Sequence, residues 1–179
     1  EVIAALAQDP FQPAEAAAAL ARLREKSMIL QATAHQLVTE IARDLERVRQ
    51  ATAPYRDLAA AQAVGYPTAT PPCLANAMAG GMGHHYVNRS YVDDKLELER
   101  PEILLYAPDG DGKSKLVAVE YIVPGAGSNP PGVSTPPKVL GIEMHILVPA
   151  VGFYIQHFWV WSHNPAGMYV DWNPNLTCP

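Results

Sequence analysis

No glycine occurs before Gly65 in this 179-residue chain, and only three of its 17 prolines precede residue 66. The first third therefore lacks the two residues that most readily interrupt helices. Long apolar runs are missing as well. The longest, Ile146 to Ile155, is broken by Pro149 and Gly152, and its about ten residues fall short of the roughly 18–20 that a transmembrane helix needs. Basic residues are few, 13 Lys and Arg against 18 Asp and Glu, which argues against nucleic-acid binding. Neither of the two cysteines, Cys73 and Cys178, belongs to a C-x-x-C pair or a C-x-x-C-H haem site, so zinc-ribbon and c-type cytochrome readings fail. Phosphate-loop and Rossmann glycine patterns and the G-x-S-x-G nucleophile signature are absent too.

What is present divides into two compositions. Residues 13–53 read as helix: Pro13 suits a first turn, Glu15 sits at the positive end of the dipole, and Ala16 to Ala19 favour helix. Leu23, Leu30, Ala34, Leu37, Ile41, Leu45 and Val48 recur at helical spacing, opposite Arg24, Gln31, Glu40, Arg43 and Arg47. A single helix there would run about 60 Å at ~1.5 Å per residue, so it lies on a partner, folds back near Ser27, or projects. Pro54 ends it, and a short helix, Tyr55 to Val64, closes at Gly65.

Beyond Gly65 the signals are turns and strands. Ile103–Tyr106 and Leu116–Val123 make a hairpin over Pro108-Asp109-Gly110-Asp111-Gly112, which lacks the further acidic ligands of a calcium loop. Pro124–Pro137 reads as a surface loop, Leu140–Val148 and Phe153–Trp161 as strands, and Asn164–Pro179 as an irregular tail. Strands without intervening helices imply an antiparallel sheet. The expected fold class is α+β: a helical segment over 1–66 beside a small antiparallel β barrel or sandwich over 67–179.

A Cys73–Cys178 disulfide would close a loop of about 105 residues and stabilise the fold by roughly 4.7 kcal/mol in the chain-entropy model. It would indicate an oxidising, extracellular or periplasmic location; two free thiols are the alternative. Glu1 opens no basic and apolar leader, as expected of an already processed chain. Asn88-Arg89-Ser90 and Asn175-Leu176-Thr177 fit the glycosylation sequon, relevant only in a eukaryotic secretory route.

Five of the six histidines, His84, His85, His145, His157 and His163, lie in the second part. Strand alternation over residues 157–163 places His157, Trp159, Trp161 and His163 on one face. It also puts His157 and His163 about 20 Å apart at ~3.3 Å per residue, too far to share an ion unless the chain turns. Glu120 stands in the apolar run Leu116–Val123, on a face with Ala118 and Ile122, where an unpaired carboxylate is costly. Glu143 and His145 share another face. Imidazoles and carboxylates are the usual ligands of divalent transition metals, and the candidate metal set is His85, Glu120 and His157, with His145 as a possible addition. Glu120 and His157 would also serve as an acid/base pair. The bland alternative makes the histidines core or edge residues bonded to carbonyls, with Glu120 at a solvent-facing edge.

The segments Tyr55-Arg56-Asp57-Leu58-Ala59-Ala60-Ala61, Met82-Gly83-His84-His85-Tyr86-Val87-Asn88, Leu116-Val117-Ala118-Val119-Glu120-Tyr121 and His157-Phe158-Trp159-Val160-Trp161-Ser162-His163-Asn164-Pro165 resemble a family of uncharacterised, often exported bacterial proteins. The likeness spans about residues 55–178 and implies export but no activity. Where that family carries a further His shortly before the last strand, this chain has Gly152 and apolar neighbours. Two functions are expected. The first is an exported accessory or structural subunit whose N-terminal helix docks on a protein partner or on its own copy. The alternative is a metal- or small-molecule-binding domain, with enzymatic chemistry left open, using His85, Glu120 and His157.

Overall fold

The computed structural model describes residues 2–6, 12–67, 73–146 and 152–178. The fold is α+β. Helix α1 (Val2–Leu6) is followed by α2 (Pro13–Thr52), which runs through Ser27 without a break and so excludes a hairpin there. The expected second helix is divided: a 3-10 turn, Ala53–Arg56, precedes α3 (Leu58–Ala63). Asp57 separates them because its extended backbone (φ −88°, ψ 113°) ends one element while its carboxylate accepts the Ala59 N–H at 3.0 Å to cap the next. Gly65, at φ +108°, supplies the left-handed residue after α3.

The strands are β1 (Leu74–Asn76), β2 (Gly80–Val87), β3 (Ile103–Pro108), β4 (Ser114–Pro124), β5 (Lys138–Val139), β6 (Ile142–Glu143), β7 (His145–Ile146) and β8 (Phe153–Phe158). Six form one antiparallel sheet in the order β1-β2-β3-β4-β8-β7, while β5 and β6 pair separately. The sheet is curled as a half-barrel, and among the described residues its edges β1 and β7 do not pair with each other. The strand expected over Leu140–Val148 is interrupted because Leu140 (φ 50°) and Gly141 (φ 77°) turn the chain between β5 and β6. Its last two residues lie outside those described.

The chain divides into two compact units, Glu1–Ala42 and Arg43–Pro179. In the first, Val2 packs on buried Ala16 and Ala19, whereas Leu23, Met28, Ile29, Leu30, Leu37 and Val38 are exposed. In the second, the sheet is covered on both faces. Leu45, Val48, Tyr55, Leu58, Ala61 and Tyr66 pack with Leu104, Tyr106, Val119, Tyr121 and Phe158 on one face. Tyrosine hydroxyls tie this layer down: Tyr106 donates to the Tyr55 carbonyl at 2.5 Å and Tyr121 to the Leu98 carbonyl at 2.6 Å. The other face carries Ile103, Leu105, Ala118 and Trp159 under Trp172 and Leu176 of the C-terminal tail.

Several contacts hold that tail. Asn173 exchanges both backbone hydrogen bonds with Gly81, at 3.1 and 3.0 Å. A Cβ on neighbouring Gly80 would lie 2.1 Å from the Asn173 carbonyl oxygen, so only glycine permits this approach. Cys73 and Cys178 form a disulfide with Cα atoms 5.5 Å apart. Trp159 Nε1 donates to the Val170 carbonyl at 2.6 Å.

Candidate metal centre

Strand register builds the site. Glu120 on β4 pairs directly with His157 on β8 and with Ile103 on β3, while His85 on β2 pairs with Leu105. Alternation turns all three polar side chains toward the face of Ala118, Leu105 and Ile103, into the layer beneath the tail. His85 reaches Glu120 across β3. Each of the three residues offers one ligand atom within 4.8 Å of the other two.

The contacts within this cluster are unsatisfied. Glu120 Oε2 lies 3.5 Å from His85 Nε2 and 3.4 Å from His157 Nε2, yet none of these approaches is a hydrogen bond. Glu120 Oε2, His157 Nε2 and His85 Nδ1 are buried without a hydrogen-bond partner among the described residues. Burying such groups unpaired ordinarily costs about 1–3 kcal/mol each, and two of them, Glu120 Oε2 and His157 Nε2, face each other at 3.4 Å. His157 Nδ1 donates to Asp171 Oδ1 at 3.1 Å, which in the neutral ring leaves the Nε2 lone pair facing the Glu120 oxygen. Two acceptors then face each other across the gap, an arrangement in which a cation or a proton would satisfy both.

Electrostatics follow from this burial. Burial, and then the neighbouring His157, lowers the His85 pKa to about 4, so at neutral pH it is an uncharged imidazole suited to ligation. Burial pushes the Glu120 carboxyl above its ordinary value, with His157 opposing. Burial alone would lower His157, but the Glu120 and Asp171 carboxylates outweigh it and raise the group. Burial would raise Asp171; its bond to His157 outweighs that and holds it below the usual range.

Asp171 was not among the sequence candidates. An imidazole whose far nitrogen donates to a carboxylate, fixing the ring for ligation, is the recurrent outer-shell arrangement of metal-binding histidines. Its signal was invisible because the residue lies in an irregular tail whose path depends on Asn173 and Cys178. Glu102 was also missed. It is buried, its Oε2 accepts the Ile122 N–H at 3.1 Å, and burial pushes its pKa up to about 8.

The remaining candidates go elsewhere. His145 on β7 is exposed and contacts Asp171 Oδ2 at 3.3 Å rather than joining the cluster. Glu143 and His163 are exposed, and His84 pairs with Tyr106. The single face expected for His157, Trp159, Trp161 and His163 does not exist. The strand ends at Phe158, where Val160 bonds back to the Phe158 carbonyl, and Trp161 joins the opposite layer with Nε1 donating to Thr52 Oγ1 at 3.0 Å. Of the two sequons, Asn88 is buried with its amide donating to the Val64 carbonyl, so its side chain is engaged in the fold.

Comparison of the chain with family models, curated proteins and solved structures found no match in any of the three. No helix among the described residues is long and apolar enough to cross a membrane.

Proposed function

We propose that the second unit is a metal-binding domain in which His85, Glu120 and His157 hold one divalent transition-metal ion. The observation that carries this reading is the convergence of three ligand atoms within 4.8 Å, with Glu120 Oε2 and His157 Nε2 buried and unpartnered. Two imidazoles and a carboxylate suit zinc, iron or manganese and leave coordination positions for water or a ligand, where the ion acts as a Lewis acid. The disulfide supports an extracellular or periplasmic setting, as does the resemblance of residues 55–178 to often exported bacterial proteins. Binding displaces protons from the cluster, so affinity rises with pH through the range where His157 and Glu120 titrate. Chelator-treated full-length protein should take up about one zinc per chain by calorimetry and elemental analysis. His157→Ala should lose more than the ~10–100-fold expected for an outer-shell partner. Folded wild-type protein that takes up no zinc, iron or manganese would overturn the reading.

The exposed Leu23, Leu30 and Leu37 of α2 favour a second role, in which this stretch docks on its own copy. Leucines seven residues apart form one seam, with Leu20, Ala34 and Ile41 beside it, in the pattern of a two-stranded coiled coil. Light scattering of the full chain should then give a dimer, and a Leu30→Glu/Leu37→Glu variant a monomer with unchanged metal content. A wild-type monomer at high micromolar concentration counts against self-docking.

A further inference from the structure

Beside the metal cluster, on the same face of the sheet, lies a cleft of about 670 Å³. Its floor continues the rows that carry the cluster. Val87 follows His85 by two residues on β2, Ile122 follows Glu120 by two on β4, and Phe153 precedes His157 by four on β8. At ~3.3 Å per residue the floor therefore begins about 7 Å from the ligating positions. One wall is the loop 129–132, stapled in place by Gly125 N–H to the Gly152 carbonyl at 2.7 Å, Val133 N–H to the Pro124 carbonyl at 2.9 Å, and Ser128 Oγ to the Gly125 carbonyl at 2.8 Å. Arg89, Asp93 and Asp94 also line the cleft. Arg89 and Asp94 make no hydrogen bond or ion pair among the described residues. A preformed apolar cleft with a few convergent polar groups is the general form of a small-ligand site.

The charges select the ligand. A plain carboxylate would meet Arg89 but also two aspartates of its own sign, and a plain amine would leave Arg89 unmatched. We infer that this cleft binds a small zwitterion with an apolar body, an apolar amino acid or short peptide. Its carboxylate meets Arg89, its ammonium meets Asp93 and Asp94, and its side chain covers Val87, Ile122 and Phe153. Guanidinium–carboxylate pairing gives the orientation and the apolar floor gives the affinity. The inference rests on the metal reading only in placing the ligand beside an ion able to polarise its carbonyl.

Calorimetric titration of the full chain with leucyl-leucine, metal-loaded and chelator-treated, tests this. Saturable binding is expected, tighter in the loaded protein. N-acetylation or C-amidation of the dipeptide should weaken it about tenfold or more, since each removes one charge-assisted bond. Arg89→Ala should cost as much for the free dipeptide and almost nothing for the C-amidated one; Asp93→Asn/Asp94→Asn should do the same for the amine end. These residues are exposed, and asparagine in place of Asp93 keeps the Oδ1 that accepts the Lys95 N–H at 2.8 Å, so the variants should fold normally. Absence of saturable binding in either form, or affinity indifferent to Arg89, overturns the inference. Metal content of the same samples separates the two ideas. A protein that holds metal but no dipeptide sinks the cleft alone, and an Arg89-dependent dipeptide site in protein that takes no metal sinks the metal centre alone.

Discussion

Glu120→Gln should stabilise the metal-free protein and abolish its stabilisation by metal. In the metal-free wild type, Glu120 is buried with Oε2 unpartnered and faces two imidazoles that do not donate to it. An ionised carboxylate there lacks the solvation it has in the unfolded chain, and a neutral amide of the same shape avoids that penalty. The gain should be about 1 kcal/mol or more. With metal at about a thousand times its dissociation constant, the wild type instead gains roughly 4 kcal/mol by mass action, or about 8–16 °C in melting midpoint for a chain of this size. The variant, having lost a ligand, should gain almost none, so the two stability orders cross.

The pH dependence has a definite sign. Glu120 and His157 both hold their protons more tightly folded than unfolded, so the stability they contribute is present at low pH and lost as pH rises through their folded values. Glu102, pushed from 4.5 to about 8, acts the same way across that window. His85, lowered from 6.5 to about 4, opposes them, costing stability as pH falls between those values. Metal-free wild type should therefore weaken from about pH 6.5 toward pH 8. Glu120→Gln should show a shallower fall, the remainder belonging to Glu102 and to His157 through its bond to Asp171. Denaturant titrations at several pH values measure both slopes. A variant less stable than the metal-free wild type, or one that metal stabilises equally, would remove Glu120 from the centre.

Glu120 could be found in the sequence because a carboxylate inside a run as apolar as Leu116–Val123 has no bland explanation short of an exposed edge, and β4 is a central strand. Residue type alone points to its partners, whereas their convergence depends on register. A one-residue slip of β8 against β4 would turn His157 to the opposite face. His85 depends on two pairings in succession, β2 on β3 and β3 on β4, the second containing a shift between Leu105 and Tyr106 that no local pattern announces. Helix α2 was legible through its 3.6-residue period and lack of glycine. Where period-two alternation was extended past Phe158 it failed, because Trp161 is drawn to Thr52 at the end of α2, a contact between residues 109 apart in the chain. Asp171 carried no periodic signal at all. Long-range closure, rather than local propensity, decided each of these outcomes.

Replacing both cysteines, Cys73→Ser with Cys178→Ser, should lower unfolding stability by about 2–5 kcal/mol, with roughly 4.7 kcal/mol the chain-entropy value for a loop of this length. The closed loop spans 105 residues and encloses every strand of the sheet, so the bond restricts the unfolded chain of almost the whole second unit. Its effect on the site is separate. Tail residues 164–178 form no regular strand; Asn173, Trp172, Leu176 and the bonds of Gln156 and Trp159 to the Tyr169 and Val170 carbonyls hold them from within, and the disulfide holds their end. When that end is released, the tail opens at lower cost, and Asp171 leaves with it. His157 then loses the carboxylate that fixes its ring. Zinc affinity should drop about 10–100-fold, matching an Asp171→Asn control, because both remove the same outer-shell partner. Denaturant unfolding and zinc calorimetry on the two proteins distinguish the effects: the serine pair should lose both stability and affinity, and Asp171→Asn chiefly affinity. Wild-type zinc affinity in a destabilised serine pair would mean that the tail's internal contacts suffice to seat Asp171, and would separate the disulfide from the His85, Glu120 and His157 cluster it encloses.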